Sequence, residues 1–301
     1  MLAFVLSGGG NRGALEAGAL VALFERGIKP AILVGTSAGA LNATFIATNP
    51  TLDGAKQLTE QWKRVKLENI FPGNLLTFAW RFLTGADSLS PNDNLRRYVE
   101  SQLPPGVRAF GDITQVRLYT TTANINTSEI FIFGDDPTAS LVEAVLSSSA
   151  VPPLLPPVAF ENWQFVDGAV CADLPISIAL EKGATEIYAI YVGTGALPQR
   201  NIRGIVNLAQ RSVAVTVYQQ LLEDFEDVAQ QPGVKLHFVP IDSYPEIGDF
   251  DHADLLISEG YRVMKRYLEA GAPPLRTEQV VMAAPAPPGA VKWERKRRRR
   301  S

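Results

Sequence analysis

One stretch of ten residues limits what this chain can fold into more than any other. Residues 31–40 read AILVGTSAGA, an apolar run followed by a G-x-S-x-G sequence centred on Ser37 and then by a helical pattern. A strand that turns sharply into a helix crowds the backbone, so Gly35 and Gly39 must carry almost no side chain. The helix N-terminus that follows favours negative charge near the serine. The pattern predicts a nucleophile elbow, and a plain glycine-rich turn remains the alternative at this point.

The residues before the elbow repeat the same plan. Leu2 to Ser7 is a short apolar run, Gly8 to Gly13 is a glycine loop, and Ala14 to Arg26 shows helical spacing before the strand of the elbow. This β-α-β-α order predicts a parallel sheet with right-handed crossovers, hence the α/β class. Further along, the pattern predicts strands at 116–123, 130–133, 163–166, 186–192 and 234–239 and helices at 138–149, 175–182, 205–230 and 252–270.

The first glycine loop has two chemical interpretations. Gly8, Gly10 and Gly13 satisfy the G-x-G-x-x-G pattern of dinucleotide-binding proteins, but that interpretation needs an acidic residue at the end of the second strand. Residues 31–36 contain no acid. Backbone N–H groups at a helix N-terminus can instead form an oxyanion hole, and neighbouring β-α turns of a parallel sheet lie side by side. The loop and Ser37 are therefore expected to share one pocket.

A nucleophilic serine also needs a base, and the chain has only two histidines. His237 lies inside a strand pattern and His252 opens the last helix, so structural roles are the commoner explanation for both. Asp167 ends a strand and precedes Gly168, which would project its carboxylate into the crevice at the carboxyl ends of the strands. A turn aspartate before glycine is often structural, so spacing alone leaves this choice open.

Composition and charge narrow the setting. The 301 residues are 46% hydrophobic and 20% charged, with a single cysteine, Cys171. That composition predicts a globular protein of a reducing compartment such as the cytoplasm. No apolar run reaches the roughly 18 residues of a membrane span, the N-terminus reads as a strand rather than a signal peptide, and no cluster has metal-ligand spacing.

The charge is unevenly distributed along the chain. Residues 292–301 contain seven basic residues and one acid, which leaves a net charge of −9 on the rest of the chain. We therefore expect no nucleic-acid partner. The expected organisation is one domain over residues 1–272 and a disordered Pro/Ala-rich, basic tail over residues 273–301, which either tethers the protein to anionic membranes or is a solvated end.

Three motifs in this order resemble the patatin-like phospholipase family: GGGNRG after the first strand, GTSAG after the second and VDGA after a later one. The stretches SSSAVPPLLPPV and FDHADLLISEGYRVMKRYL are similar as well, so the resemblance covers roughly residues 2–270. Two departures are mild. Ala169 gives DGA where DGG is more frequent, and Asp173 stands where asparagine is common, which could alter the electrostatics around Asp167.

The resemblance implies a three-layer α/β/α fold with a mostly parallel sheet and a lipid acyl hydrolase that needs neither metal nor cofactor. It implies Ser37 as nucleophile and Asp167 as base. It implies Gly9, Gly10 and Asn11 as the N–H donors of the oxyanion hole. The supporting residues of the three motifs are then Gly8, Arg12, Gly13, Gly35, Gly39 and Gly168. A thioesterase or acyltransferase using the same site, and a catalytically silent scaffold, remain open. The apolar residues of 70–83 are either a lid that meets lipid or part of the core.

Overall fold

The computed structural model describes residues 1–70, 84, 86–193, 201–241 and 250–275. Eight strands in these ranges form one sheet in the order β5-β6-β3-β2-β1-β7-β8, with β4 paired to β3 outside that path. The strands are β1 (Leu2–Leu6), β2 (Ile32–Thr36), β3 (Arg117–Asn124), β4 (Glu129–Phe133), β5 (Val158–Phe160), β6 (Trp163–Asp167), β7 (Glu186–Tyr191) and β8 (Lys235–Pro240).

Five strands of the sheet are parallel. β1 pairs with β2 on one side and β7 on the other, β2 pairs with β3, and β7 pairs with β8, all in parallel register. The mostly apolar sequences of β1, β2 and β7 fit strands that are buried on both faces. The predicted pair at 116–123 and 130–133 is the antiparallel hairpin of β3 and β4.

β6 approaches the parallel strands from the opposite direction. It pairs antiparallel with residues 122–124 of β3, and β2 pairs parallel with residues 117–121 of the same strand. β4 overlaps both of these segments of β3 and so occupies the opposite edge. β2 and β6 therefore share one edge of β3, and their C-terminal ends meet there. Thr36 of β2 lies beside Thr121, and Asp167 of β6 lies beside Thr122.

Helices cover both faces of the sheet, which gives the three layers. Phe4 and Leu6 of β1 face a core shared with the first helices of the chain and the last one, whereas Ala3 and Val5 face a second core with two later helices. The helices are α1 (Gly13–Glu25), α2 (Ala38–Thr48), α3 (Leu52–Arg64), α4 (Leu67–Ile70), α5 (Asp93–Gln102), α6 (Leu141–Ser148), α7 (Ile176–Glu181), α8 (Ile205–Ala229) and α9 (Ala253–Glu269). The predicted α/β/α fold with a mostly parallel sheet is confirmed.

Two predictions fall largely beyond the described ranges. Ile70 of the apolar patch is buried in the first core, and residues 71–83 lie outside the described residues, as does the basic tail from residue 276 onward. The division into residues 1–272 and 273–301 stays a prediction. Within the described ranges, no helix combines the length and the apolar composition that crossing a membrane requires.

Candidate active site

Ser37 occupies a strained turn between β2 and α2. Its backbone has φ 55° and ψ −121°, a conformation that residues with a side chain rarely adopt. A Cβ atom at Gly35 would overlap the carbonyl oxygen of Gly39, and one at Gly39 would overlap that of Leu6. Both glycines are therefore required by close backbone packing, as the nucleophile-elbow interpretation expects. The helix α2 begins directly after the serine and points its N-terminus at it.

A serine of α6 accepts a hydrogen bond from the backbone of the elbow. The N–H group of Ser37 donates to Oγ of Ser148 at 2.9 Å, and Ser148 is fully buried. Ser148 belongs to the SSSAVPPLLPPV stretch that resembles the family, and the sequence pattern alone predicts no role for it. The signal was present as three consecutive serines at the end of an apolar helix pattern, followed by prolines.

Asp167 is hydrogen-bonded to Ser37. The Ser37 hydroxyl donates to Oδ2 of Asp167 at 2.6 Å, and the N–H group of Ala169 donates to Oδ1 at 2.8 Å. The aspartate is only 2% exposed. Burial raises the pKa of Asp167 to about 7, and the two hydrogen bonds partly offset that rise. A carboxyl group with such a pKa can accept a proton near neutral pH.

Thr36 at the end of β2 and Thr121 within β3 hold the turn that carries Asp167. Oγ1 of Thr36 lies 2.6 Å from Oγ1 of Thr121 and donates to the carbonyl oxygen of Ala172 at 2.9 Å. A Cβ atom at Gly168 would come within 2.5 Å of the Thr121 carbonyl oxygen. Gly168 is therefore needed because the turn packs directly on β3. Sequence reasoning did not identify Thr36 or Thr121, because their role depends on the contact between β3 and β6.

The first glycine loop lies against the serine. A Cβ atom at Gly8 would sit 3.3 Å from Cβ of Ser37 and 3.2 Å from Cβ of Ala169, so the loop, the elbow and the Asp167 turn converge there. Gly10 has φ 59° and opens a short 3-10 helix that leads into α1. In the described part of the chain, no protein acceptor is found for the N–H groups of Gly9 and Gly10.

The remaining members of the loop are buried. Asn11 is 2% exposed and Arg12 is 4% exposed. The Arg12 guanidinium donates through Nε to the carbonyl oxygen of Gly9 at 3.3 Å. Burial lowers the pKa of Arg12, and the negative charge of Asp173 acts in the opposite direction. The structure thus places Gly8, at the start of the predicted oxyanion loop, against the turn that carries Ser37.

A buried polar network connects the helices that follow the two glycine turns. Nδ2 of Asn42 in α2 donates to Oε2 of Glu16 in α1 and to the carbonyl oxygen of Gly13, both at 2.9 Å. Nε1 of Trp62 in α3 donates to Oδ1 of Asn42 at 2.8 Å. Burial raises the pKa of Glu16 well above its ordinary value. A Cβ atom at Gly13 would come within 2.5 Å of the Trp62 ring, so glycine is required there too.

His237 is too far from Ser37 to act as its base. His237 lies on β8, three strands from β2, so at about 4.8 Å per strand the two are separated by roughly 14 Å. Its ring stacks on Tyr188 and its nitrogens lie 2.9 Å from Oη of Tyr267 and 3.2 Å from Oε1 of Glu186. His252 precedes α9 with an exposed side chain. Among the described residues, no group of three or more potential ligands could hold a metal ion.

Comparisons with known proteins point to one family. A sequence profile of the patatin-like phospholipase family matches residues 4–180. The uncharacterized protein YqhO of Bacillus subtilis is 24% identical, over 79% of this chain and 87% of its own length. Lysophospholipase nte1 of Aspergillus terreus is 27% identical, over 91% of this chain. The match covers 19% of that protein, so the chain spans about a fifth of its length.

The solved structures that match this chain have longer chains and low sequence identity to it. VipD from Legionella pneumophila is 14% identical with a TM-score of 0.48, and the match covers 89% of this chain and 66% of VipD. Human GIVD cytosolic phospholipase A2, solved in complex with methyl gamma-linolenyl fluorophosphonate, is 13% identical with a TM-score of 0.47. That match covers 94% of this chain and 58% of the phospholipase.

Proposed function

The chain belongs to the patatin-like phospholipase family, and from that premise we propose that it hydrolyses acyl esters of lipids through Ser37 and Asp167. The observation that carries the proposal is the 2.6 Å hydrogen bond from the strained, buried serine to a buried carboxylate whose pKa is about 7. Serine is a weak nucleophile unless a base removes its proton, and this base is already in contact with it.

The first half of the proposed reaction forms an acyl-enzyme. Oγ of Ser37 attacks the ester carbonyl carbon while Asp167 takes the hydroxyl proton. The electron pair of the carbonyl moves onto its oxygen, which the N–H groups of Gly9, Gly10 and Asn11 receive at the positive end of α1. The tetrahedral intermediate then collapses, and the alcohol leaves with the proton held by Asp167.

The second half releases the acid. Asp167 is ionised again after the alcohol has left, so it can take a proton from a water molecule that attacks the acyl-serine carbonyl carbon. The same N–H groups hold the second oxyanion. When this intermediate collapses, Oγ of Ser37 leaves and regains its proton from Asp167. The protein groups in this proposed mechanism are Ser37, Asp167 and the N–H groups of residues 9–11, and the mechanism requires no metal or cofactor.

A small, mostly apolar cleft lies beside the helix that follows the serine. Leu41, one turn of α2 after Ser37, lines it together with Phe45, Val99, Leu103 and Val145 and with the polar residues Thr44, Gln61 and Gln102. The cleft is about 20 Å³, so it supports an acyl-chain substrate as an apolar surface and not as a formed chain-binding site. The lysophospholipase among the relatives is consistent with this substrate class. Head group and chain length stay open within the proposal.

The test is hydrolysis of nitrophenyl esters from acetate to palmitate, beside a lysophospholipid and an acyl thioester. We expect turnover of the oxygen esters by the wild type and a loss of at least about 1,000-fold in kcat for Ser37→Ala. Ser101→Ala is the matched control, because Ser101 is an exposed serine of α5. It should leave the rate unchanged.

Two results would refute the proposal. One is a Ser37→Ala variant that hydrolyses every ester at the wild-type rate. The other is a fluorophosphonate probe that labels the wild type at a serine other than Ser37. Faster turnover of the thioester than of any oxygen ester would instead support the thioesterase alternative.

A further inference from the structure

A second carboxylate, Asp173, is wedged against the glycine loop. The N–H group of Gly8 donates to the carbonyl oxygen of Asp173 at 3.0 Å. A Cβ atom at Gly8 would sit 2.6 Å from Oδ1 of Asp173, and one at Gly193 would overlap Oδ2. The carboxylate therefore lies between two backbone segments, one directly after β1 and one just after β7. Only glycine at positions 8 and 193 leaves room for it.

Arg12 holds the same loop from its other end. Its Nε donates to the carbonyl oxygen of Gly9, one residue beyond the glycine that contacts Asp173. The two opposite charges stabilise one another, because Arg12 lowers the pKa of Asp173 and Asp173 raises the pKa of Arg12. Arg12 is almost fully buried, and a buried guanidinium needs a compensating charge.

Several titratable groups face this pair from the elements packed around it. Asp167 comes from β6, Tyr191 from β7 and Glu16 from α1, and Asp173 interacts with Asp167 and Glu16 as a like charge. Burial is the largest influence on Asp173 and raises its pKa to about 7, with Asp167 adding to the rise. Ionisation of either aspartate therefore makes ionisation of the other less favourable.

We propose that Asp173 is a positioning residue of the reaction: together with Arg12, its carboxylate holds residues 8–11 against Ser37, so that their N–H groups face the oxyanion. The inference rests on the proposed function and extends it to a residue outside the serine–aspartate pair. An oxyanion hole acts on the transition state more than on the bound substrate. Loss of this support should therefore lower kcat and leave KM almost unchanged.

The test compares Asp173→Asn with Asp224→Asn on a soluble nitrophenyl ester from pH 5 to 9. Asparagine keeps the shape of Asp173 but removes its charge, so kcat should fall about 10- to 100-fold on the plateau, with KM changed less than about threefold. The acid limb should move to lower pH, because Asp167 no longer ionises beside a negative neighbour.

Asp224 is the matched control. It is a partly buried carboxyl group of α8 whose pKa burial raises to about 6, and the charges that act on it in the described part of the chain are those of Asp227 and Glu223. Asp224→Asn should keep both the wild-type kcat and the wild-type acid limb. If Asp173 only stabilises the fold, Asp173→Asn should leave kcat as it is in the Asp224→Asn control, whereas the shift of the acid limb follows from the lost charge in either case.

A second variant covers the case in which Asp173→Asn leaves Arg12 unpaired and the protein does not fold. Arg12→Gln/Asp173→Asn removes both buried charges, and we expect it to fold and to show the same fall in kcat. If whichever variant folds keeps the wild-type kcat, the inference is wrong while the proposed function stands. A wild type with no ester hydrolysis and no probe on Ser37 would refute the proposed function, and this inference with it.

Discussion

At the scale of single residues, the proposed chemistry depends on how Asp167 is buried. An exposed aspartate has a pKa near 3.8 and would be a poor base at neutral pH. Burial beside β3 brings the pKa to about 7, where the ionised form is present and still basic enough to take the serine proton. The same burial makes the ionised carboxylate unfavourable in the folded protein, so reactivity and stability oppose each other at this residue.

This opposition predicts how stability changes with pH. The pKa of Asp167 in the folded protein lies above its unfolded value, so the folded state binds more protons between about pH 4 and pH 7, and stability falls as pH rises through that window. Asp167→Asn removes this loss. The variant should therefore have a free energy of unfolding on the order of 2–4 kcal/mol above that of the wild type at pH 8.

Urea unfolding of both proteins at pH 4 and pH 8 measures the effect. The advantage of Asp167→Asn should be absent near pH 4, where Asp167 is protonated in the folded protein. Asp173 titrates in the same range, and Asp167→Asn also removes the like charge beside it, so the difference between the two proteins contains the Asp167 effect together with a smaller change at Asp173. An identical difference at the two pH values would show that burial does not shift this carboxyl group.

At the scale of secondary structure, the site is assembled by elements that support the turns rather than by the turns alone. α6 contributes Ser148, whose Oγ accepts the N–H group of Ser37. The next serine back, Ser147, is equally buried, and its Oγ has no hydrogen-bond partner among the described residues. These two adjacent serines are therefore equally buried, but only Ser148 contacts the elbow.

Alanine substitutions separate these two serines. Ser148→Ala leaves the buried N–H group of Ser37 without an acceptor, which should cost about 1–3 kcal/mol of stability. It should also lower kcat about tenfold, because the elbow is less firmly held. Ser147→Ala should be close to neutral in both respects. Chemical denaturation and ester kinetics check the pair, and equal effects of the two substitutions would show that the contact with Ser37 is unimportant.

At the scale of the whole molecule, the parallel pair β1 and β2 could be predicted from sequence, because both apolar runs end in a glycine turn and lead into a helical pattern. The direction of β6 could not, because an apolar run does not encode which way its strand will lie. Sequence reasoning expected Asp167 at a carboxyl end of the strands. In the structure it comes from an antiparallel strand that meets β2 head to head.

Other features of the site depend on contacts that no local pattern records. β5 (Val158–Phe160) is three residues long and follows a proline-rich stretch, so no periodicity marks it. The roles of Ser148 and Thr121 arise only when α6 and β3 pack around the two turns. Sequence spacing alone does not decide which residue is the base. From sequence, only the family resemblance predicts that Ser37 pairs with Asp167.

The central claim is that an aspartate, and no histidine, activates Ser37. The most direct measurement is kcat/KM for a soluble nitrophenyl ester as a function of pH, in Asp167→Asn and in His237→Ala/His252→Ala. Asp167→Asn should be nearly as inactive as Ser37→Ala at pH 8. The double histidine variant should keep a single acid limb with a midpoint near pH 7. An active Asp167→Asn variant, or a folded histidine variant as inactive as Ser37→Ala, would contradict the account.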